Sequence, residues 1–219
     1  LDMSTLGNGR MYLGSVEADR TYNAATLAPG LADVGGTNRI YRLGTRNSGT
    51  LVVNLSGTGN LTDAGGATDV RIGSLANLGP SANWGIGNVL FQDQNTYTGG
   101  TTIVRGSSLR FDQANTLTAG SLGALGGATG TSAAAIHAYG ILRVEGTNGS
   151  FVDSTNSVNA YTNITLHPGS ELRLQDINAT GAAADRWHDA ASVALNGSLL
   201  TLQTANAAVT AAETIGALS

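Results

Sequence analysis

The densest set of reactive side chains in this 219-residue sequence is Asp185-Arg186-Trp187-His188-Asp189. A histidine flanked by carboxylates can act as a general base or acid, and the neighbouring indole could stack on a sugar ring. Together they would suit cleavage of a polysaccharide, in which one acid donates a proton while a second group activates water or forms an intermediate. The same five residues also read as an ordered loop corner carrying an Arg–Asp pair. That reading is preferred, because function has to be argued from a site and five adjacent residues do not make one. The fifteen acids are otherwise scattered, without an Asp-Asp or Asp-x-Asp pair. Asp63, Asp69, Asp112 and Asp176 would converge only if folding gathered them.

A second candidate is a set of arginines. Arg110, Arg143 and Arg173 each sit between two apolar residues, in Leu109-Arg110-Phe111, Leu142-Arg143-Val144 and Leu172-Arg173-Leu174. Alternation sends such a central residue to the outer face of a strand. Stacked in register the three would form a column of like charge, which needs compensation. Asp112, Glu145 and Glu171 each lie two residues from one of them, on the same face. An interleaved, solvated charge ladder is therefore expected, with a binding stripe for acidic polysaccharide as the alternative. His137 and His167 have no metal-type partners nearby in sequence and are not assigned as ligands. Ala64-Gly65-Gly66-Ala67-Thr68-Asp69 hints at a calcium-binding glycine-rich repeat but lacks a second Gly-x-Asp period. No metal, cofactor or catalytic residue is assigned.

These side chains need a scaffold, and the sequence describes one. Five segments share a pattern of glycine followed closely by alternating apolar residues, beginning at Gly49, Gly106, Gly140, Gly169 and Gly197. The last four are separated by 140−106 = 34, 169−140 = 29 and 197−169 = 28 residues, and the first gap, 106−49 = 57, is about two such units. A short strand precedes each of the last four glycines, as in Thr102-Ile103-Val104 and Asn163-Ile164-Thr165-Leu166. Each unit thus reads strand, turn with glycine at positive φ, strand, polar return. Stacking such units pairs every strand in parallel with its equivalent, giving an all-β parallel β-helix, or β-solenoid, with irregular loop insertions. A β-sandwich is the alternative, but it does not require a recurring internal order. Leu109, Phe111, Leu142, Val144, Leu172, Leu174, Leu200 and Leu202 are expected in the core.

Composition agrees. Thirty-one glycines, 5% aromatic and 12% charged residues disfavour long helices and suit short strands with many turns. Every basic residue is arginine, and a net charge of −4 leaves no electrostatic footprint for nucleic acid. Cysteine is absent, and no apolar stretch is long enough to span a membrane. Residues 1–48 fit the repeat poorly and are expected to form irregular N-terminal coils, continuous with β-helix repeats over 49–219. Ala24 to Asn38, with Pro29, Gly30, Gly35 and Gly36, reads as a loop thrown out from the stack, and Leu78 to Trp84 reads likewise. Both ends look cut from something longer, and with no charged amphipathic helix or Pro-rich cap at the C-terminus that end is expected to be continued by further coils of the same polypeptide or by identical subunits stacked end to end.

Asn95-Thr96-Tyr97-Thr98-Gly99-Gly100-Thr101-Thr102-Ile103 resembles the signature of the autotransporter-associated β-strand repeat of bacterial surface proteins. Gly87 to Phe91, Gly106 to Phe111, Tyr41-Arg42-Leu43-Gly44 and Asp185-Arg186-Trp187 look like flanking or recurrent elements of the same passenger-type proteins. The resemblance implies a right-handed parallel β-helix exported to the cell surface, and it is silent on substrate. Asn95, Tyr97, Gly99, Gly100, Gly106, Gly140, Gly169 and Gly197 are read as structural-motif residues, with Tyr97 packed in a turn in preference to binding a ligand. Arg110, Arg143, Arg173, Trp187 and His188 remain the weak candidates for binding. The expected role is structural, adhesive or display, toward a surface glycan or a host or matrix ligand. A carbohydrate-active enzyme and a self-assembling extracellular filament are the alternatives.

Overall fold

The computed structural model describes residues 1–46, 49–55, 61–74, 87–92, 95–111, 136–145, 164–176, 193–204, 215 and 218–219. Its strands are β1 (Leu13–Val16), β2 (Arg20–Tyr22), β3 (Arg39–Arg46), β4 (Thr50–Val53), β5 (Thr68–Ile72), β6 (Asn88–Phe91) and β7 (Thr101–Ile103). They continue as β8 (Ser108–Phe111), β9 (Ile136–Ala138), β10 (Ile141–Val144), β11 (Ile164–Leu166), β12 (Glu171–Asp176) and β13 (Leu199–Thr204). The odd strands β1 to β11 form one sheet in chain order, and β2, β4, β6, β8, β10, β12 and β13 form the other. All ladders between named strands are parallel. The chain is an all-β solenoid in which each coil gives one strand to each sheet, except that the last described coil gives β13 to the second and meets the first only through the Leu166–Leu195 bridge.

Register follows the period-two alternation. In the second sheet one inward column runs Leu51, Val89, Leu109, Leu142, Leu172, Leu200. The first sheet supplies Leu43, Ile72, Ile103, Ala138 and Leu166. Most of these side chains are fully buried, so the core is a thin apolar seam between two sheets. Leu109, Leu142, Val144, Leu172 and Leu174 are core residues as expected. Leu200 is only partly buried, and Leu202 is 52% exposed. Both lie on β13, the last strand of its sheet among the described residues. The side chain of Phe111 lies outside the described set.

The turn glycines do not all act alike. Gly106, Gly169 and Gly197 have φ of 82°, 80° and 71°, where a Cβ is strained. Gly140 corrects the expectation, because it is not at positive φ. Only two residues separate β9 from β10, against four between β7 and β8, so Gly140 is drawn onto the coil before it. A Cβ there would lie 2.2 Å from the Ser107 carbonyl oxygen and 2.6 Å from that of Val104. Glycine is needed at this turn for close approach.

The segment from Ala24 to Asn38 also departs from expectation. It folds back on the stack: Ala28 bridges to Asp2, and Gly30 pairs antiparallel with Ile40. Its own Leu27 is buried, as is Met3. β1 and β3 are laddered directly to the strands that follow. At the other end, Leu218 pairs in parallel with Val193. The expected loop over Leu78 to Trp84 lies wholly outside the described residues.

Candidate functional site

The arginine column forms in register, with Arg143 directly between Arg110 and Arg173. Their side chains point outward and retain 22%, 18% and 24% of their exposure. The expected Glu171–Arg173 and Glu145–Arg143 contacts form, and Glu145 also takes Arg110. Glu145 is 1% exposed, accepts from Arg110 Nε at 2.7 Å and from its Nη2, and lies 3.5 Å from Arg143 Nη1. Glu171 is gripped at both oxygens by Arg173, at 2.8 Å each. Those bonds hold its carboxyl below the ordinary range, and they raise the Arg173 guanidinium. Burial lowers Arg143, with the neighbouring Arg173 and Arg110 charges adding to the effect. Asp112 lies outside the described residues.

The Asn95 to Thr101 corner is wired to backbone groups. Asn95 is buried, and its Oδ1 accepts from the Leu61 N–H at 3.0 Å. Tyr97 is fully buried with its hydroxyl 2.7 Å from Thr101 Oγ1. Asp63 accepts from the Thr98 N–H at 2.8 Å, the Thr98 hydroxyl at 2.6 Å and the Thr68 N–H at 3.0 Å. Asp69 accepts from the Gly100 N–H at 2.9 Å and from Asn38 Nδ2 at 3.0 Å. A Cβ on Gly99 would meet the Thr68 carbonyl at 2.4 Å. Folding does bring Asp63 and Asp69 to one corner, where each holds the next coil's turn.

Three arrangements escaped the sequence. Asp33 bridges two stacked arginines, Arg42 at 2.7 Å and Arg71 at 2.6 Å, on the outer face of the first sheet. The Arg71 bond and then that of Arg42 outweigh partial burial and hold the Asp33 carboxyl at about 2. Arg42 itself is buried, with Nη1 donating to the Gly9 carbonyl. Secondly, His137 Nδ1 and His167 Nε2 lie 3.4 Å apart on successive coils, and Tyr139 stacks on His167 with centroids 3.8 Å apart. The only prior signal was that both histidines fall two or three residues before a turn glycine. Thirdly, an open groove of about 460 Å³ follows the turns, floored by Gly140, Gly169 and Gly197 and walled by Tyr139, Glu171 and Leu199.

Trp187 and His188, with the rest of Asp185 to Asp189, lie outside the described residues, as does the side chain of Asp176. Among the described residues no three His, Asp or Glu side chains gather as a metal-binding group, and no helix is long and apolar enough to cross a membrane. Protein-family models, curated proteins and solved structures all return no match to this chain.

Proposed function

We propose that this chain is a non-catalytic segment of an exported bacterial surface solenoid, with a structural, adhesive or display role. The observation that carries this reading is the employment of its acids. Asp63 and Asp69 hold backbone N–H groups of the next turn, Asp33 clamps two arginines, and Glu145 and Glu171 neutralise the arginine column. Arginine holds the Asp33 and Glu171 carboxyls below their ordinary range, which makes those two poor proton donors near neutral pH. The likeness to autotransporter repeats supports the surface setting. The groove along the glycine turns supports glycan or matrix contact, since Tyr139 presents an aromatic ring at its wall.

A panel of acidic and neutral polysaccharides, assayed for new reducing ends and unsaturated products, tests the reading. No turnover is expected, and antibody against the chain should label intact source cells. Reproducible cleavage that disappears when Asp185, His188 and Asp189 are all replaced by alanine would transfer the case to the carbohydrate-active alternative.

A further inference from the structure

Successive coils place two imidazoles face to the same point in space. His137 is the central residue of β9, in register with Thr102 of β7 and Thr165 of β11. His167 follows β11 directly, and its backbone N–H donates to the Ala138 carbonyl at 2.9 Å. The ladder therefore fixes both Cα positions. Tyr139, lying over His167 with only 7° between ring planes, fixes the orientation of the second ring. Both histidines are half-buried, so water reaches them.

The separation of the two ring nitrogens is informative. At 3.4 Å, His137 Nδ1 and His167 Nε2 make at best a long N–H···N hydrogen bond. Two nitrogens bound to one tetrahedral ion, each about 2.0–2.1 Å from it, stand about 3.3–3.4 Å apart. The pair already has that bite. Neutral imidazole nitrogen suits zinc, nickel or copper(II), whereas magnesium and calcium require oxygen donors.

We propose that His137 Nδ1 and His167 Nε2 together hold one borderline transition-metal dication, with water completing its coordination. Binding uses the Nε2–H tautomer of His137 and the Nδ1–H tautomer of His167, leaving one lone pair on each facing nitrogen. The ion adds a coordinate link between two coils that the backbone ladder and the Tyr139–His167 stack already join. A ligand present in the folded stack and absent from the unfolded chain stabilises it by mass action. The nearby cation, Arg105, donates to the Pro168 carbonyl at 3.3 Å, and it tempers the affinity without occupying either nitrogen.

The test is calorimetric titration of the full chain with zinc or nickel chloride, alongside thermal melting, with magnesium and calcium chloride as controls. One ion per chain and a saturable rise in Tm of roughly 2–4 °C are expected, with no response to magnesium or calcium. Two variants borrow residues from the same columns of neighbouring coils: His137→Thr copies Thr102 and Thr165, and His167→Val copies Val104. Each should keep the strand spectrum in circular dichroism and weaken binding by about tenfold or more. His188→Gln, at the remaining histidine of the sequence, should leave binding unchanged. Absence of stoichiometric binding would overturn the proposal. So would binding that survives both variants, a loss confined to His188→Gln, or half an ion per chain accompanied by dimerisation.

Discussion

Glu145 on one coil accepts two bonds from Arg110 on the coil before it, and it does so with its own side chain only 1% exposed. Arg143, two residues earlier on β10, approaches the other oxygen. One buried carboxylate therefore serves two arginines, while Glu171 serves Arg173 alone. Removing a buried partner leaves uncompensated charge, whereas exposed pairs contribute little. Glu145→Gln should therefore cost about 2–3 kcal/mol, reduced from the fully buried case because both guanidinium groups still reach water. Glu171→Gln should cost about 1 kcal/mol or less. Denaturant melting checks this, and equal losses for the two variants would contradict the shared-partner geometry.

That relationship marks how far local pattern reaches. The strand pairs, the outward arginines and most of the core were legible, because alternation about a turn is a property of five or six consecutive residues. The Glu171–Arg173 and Glu145–Arg143 contacts were legible from their two-residue spacing, but the reach of Arg110 to Glu145 was not, because it depends on side-chain reach between coils. Arg42 shows the same limit: its strand pattern sends it outward, yet a return of the chain through Gly9 and Asp33 buries it. The His137–His167 pair required the register across the return between β10 and β11, a length no periodicity specifies. Gly140 was legible as a turn residue, but the reason for it was not, since its constraint comes from the coil behind.

The core should respond by position along the stack. Leu172 is fully buried between Leu142 and Leu200 in its column, so Leu172→Ala should cost about 2–5 kcal/mol. Leu202, in register with core residue Leu174, is 52% exposed, and Leu202→Ala should fall within about 0.5 kcal/mol of the parent. Urea melts of the two variants decide it. A large loss at Leu202 would mean that this face is covered in solution.

Asp33 predicts an acid-sensitive clamp. Its carboxyl titrates at about 2 in the folded chain against an ordinary 3.8, chiefly because of the Arg71 bond. The unfolded chain therefore takes up protons first as pH falls. The stabilisation is complete above about pH 4 and disappears as pH drops through about 2. The side chain is 42% exposed, so solvent screening reduces the contribution to about 1 kcal/mol. Melting temperatures from pH 6 to pH 2 should fall less steeply in Asp33→Asn than in the parent. The variant should also be less stable throughout, since buried Arg42 loses its ionic partner.

Two glycines separate backbone overlap from backbone strain. Gly35 has φ of 81° with no atom within 4 Å of its would-be Cβ, so Gly35→Ala carries conformational strain alone, about 1 kcal/mol. Gly140→Ala drives a methyl group into two backbone carbonyl oxygens, that of Ser107 held by the Ile141 N–H and that of Val104 held by the Ser107 N–H. Its cost should be about 3 kcal/mol or more, beyond ordinary overpacking, because backbone cannot rotate away as a side chain can. Thermal melting of the two variants, read with the loss of strand signal, checks the order. Equal costs would show that the short turn between β9 and β10 can open.

The Asn95 to Thr101 corner offers the most direct trial of a structural motif against a ligand site. Tyr97→Phe keeps the ring in its buried slot but removes the hydroxyl that meets Thr101 Oγ1. The loss should be about 1 kcal/mol, the net worth of one hydrogen bond. Asn95→Ala strips the buried Leu61 N–H of its acceptor and should cost more, about 1–3 kcal/mol, because the donor is left desolvated without a partner. Both variants should bind any glycan the chain recognises as tightly as the parent, once compared at equal folded fraction. A ligand site would give the reverse: melting temperatures within a degree of the parent and binding lost at Tyr97. Melting curves and a glycan titration on the same preparations separate the two, since a fully buried phenol can act on a soluble ligand only if the corner opens.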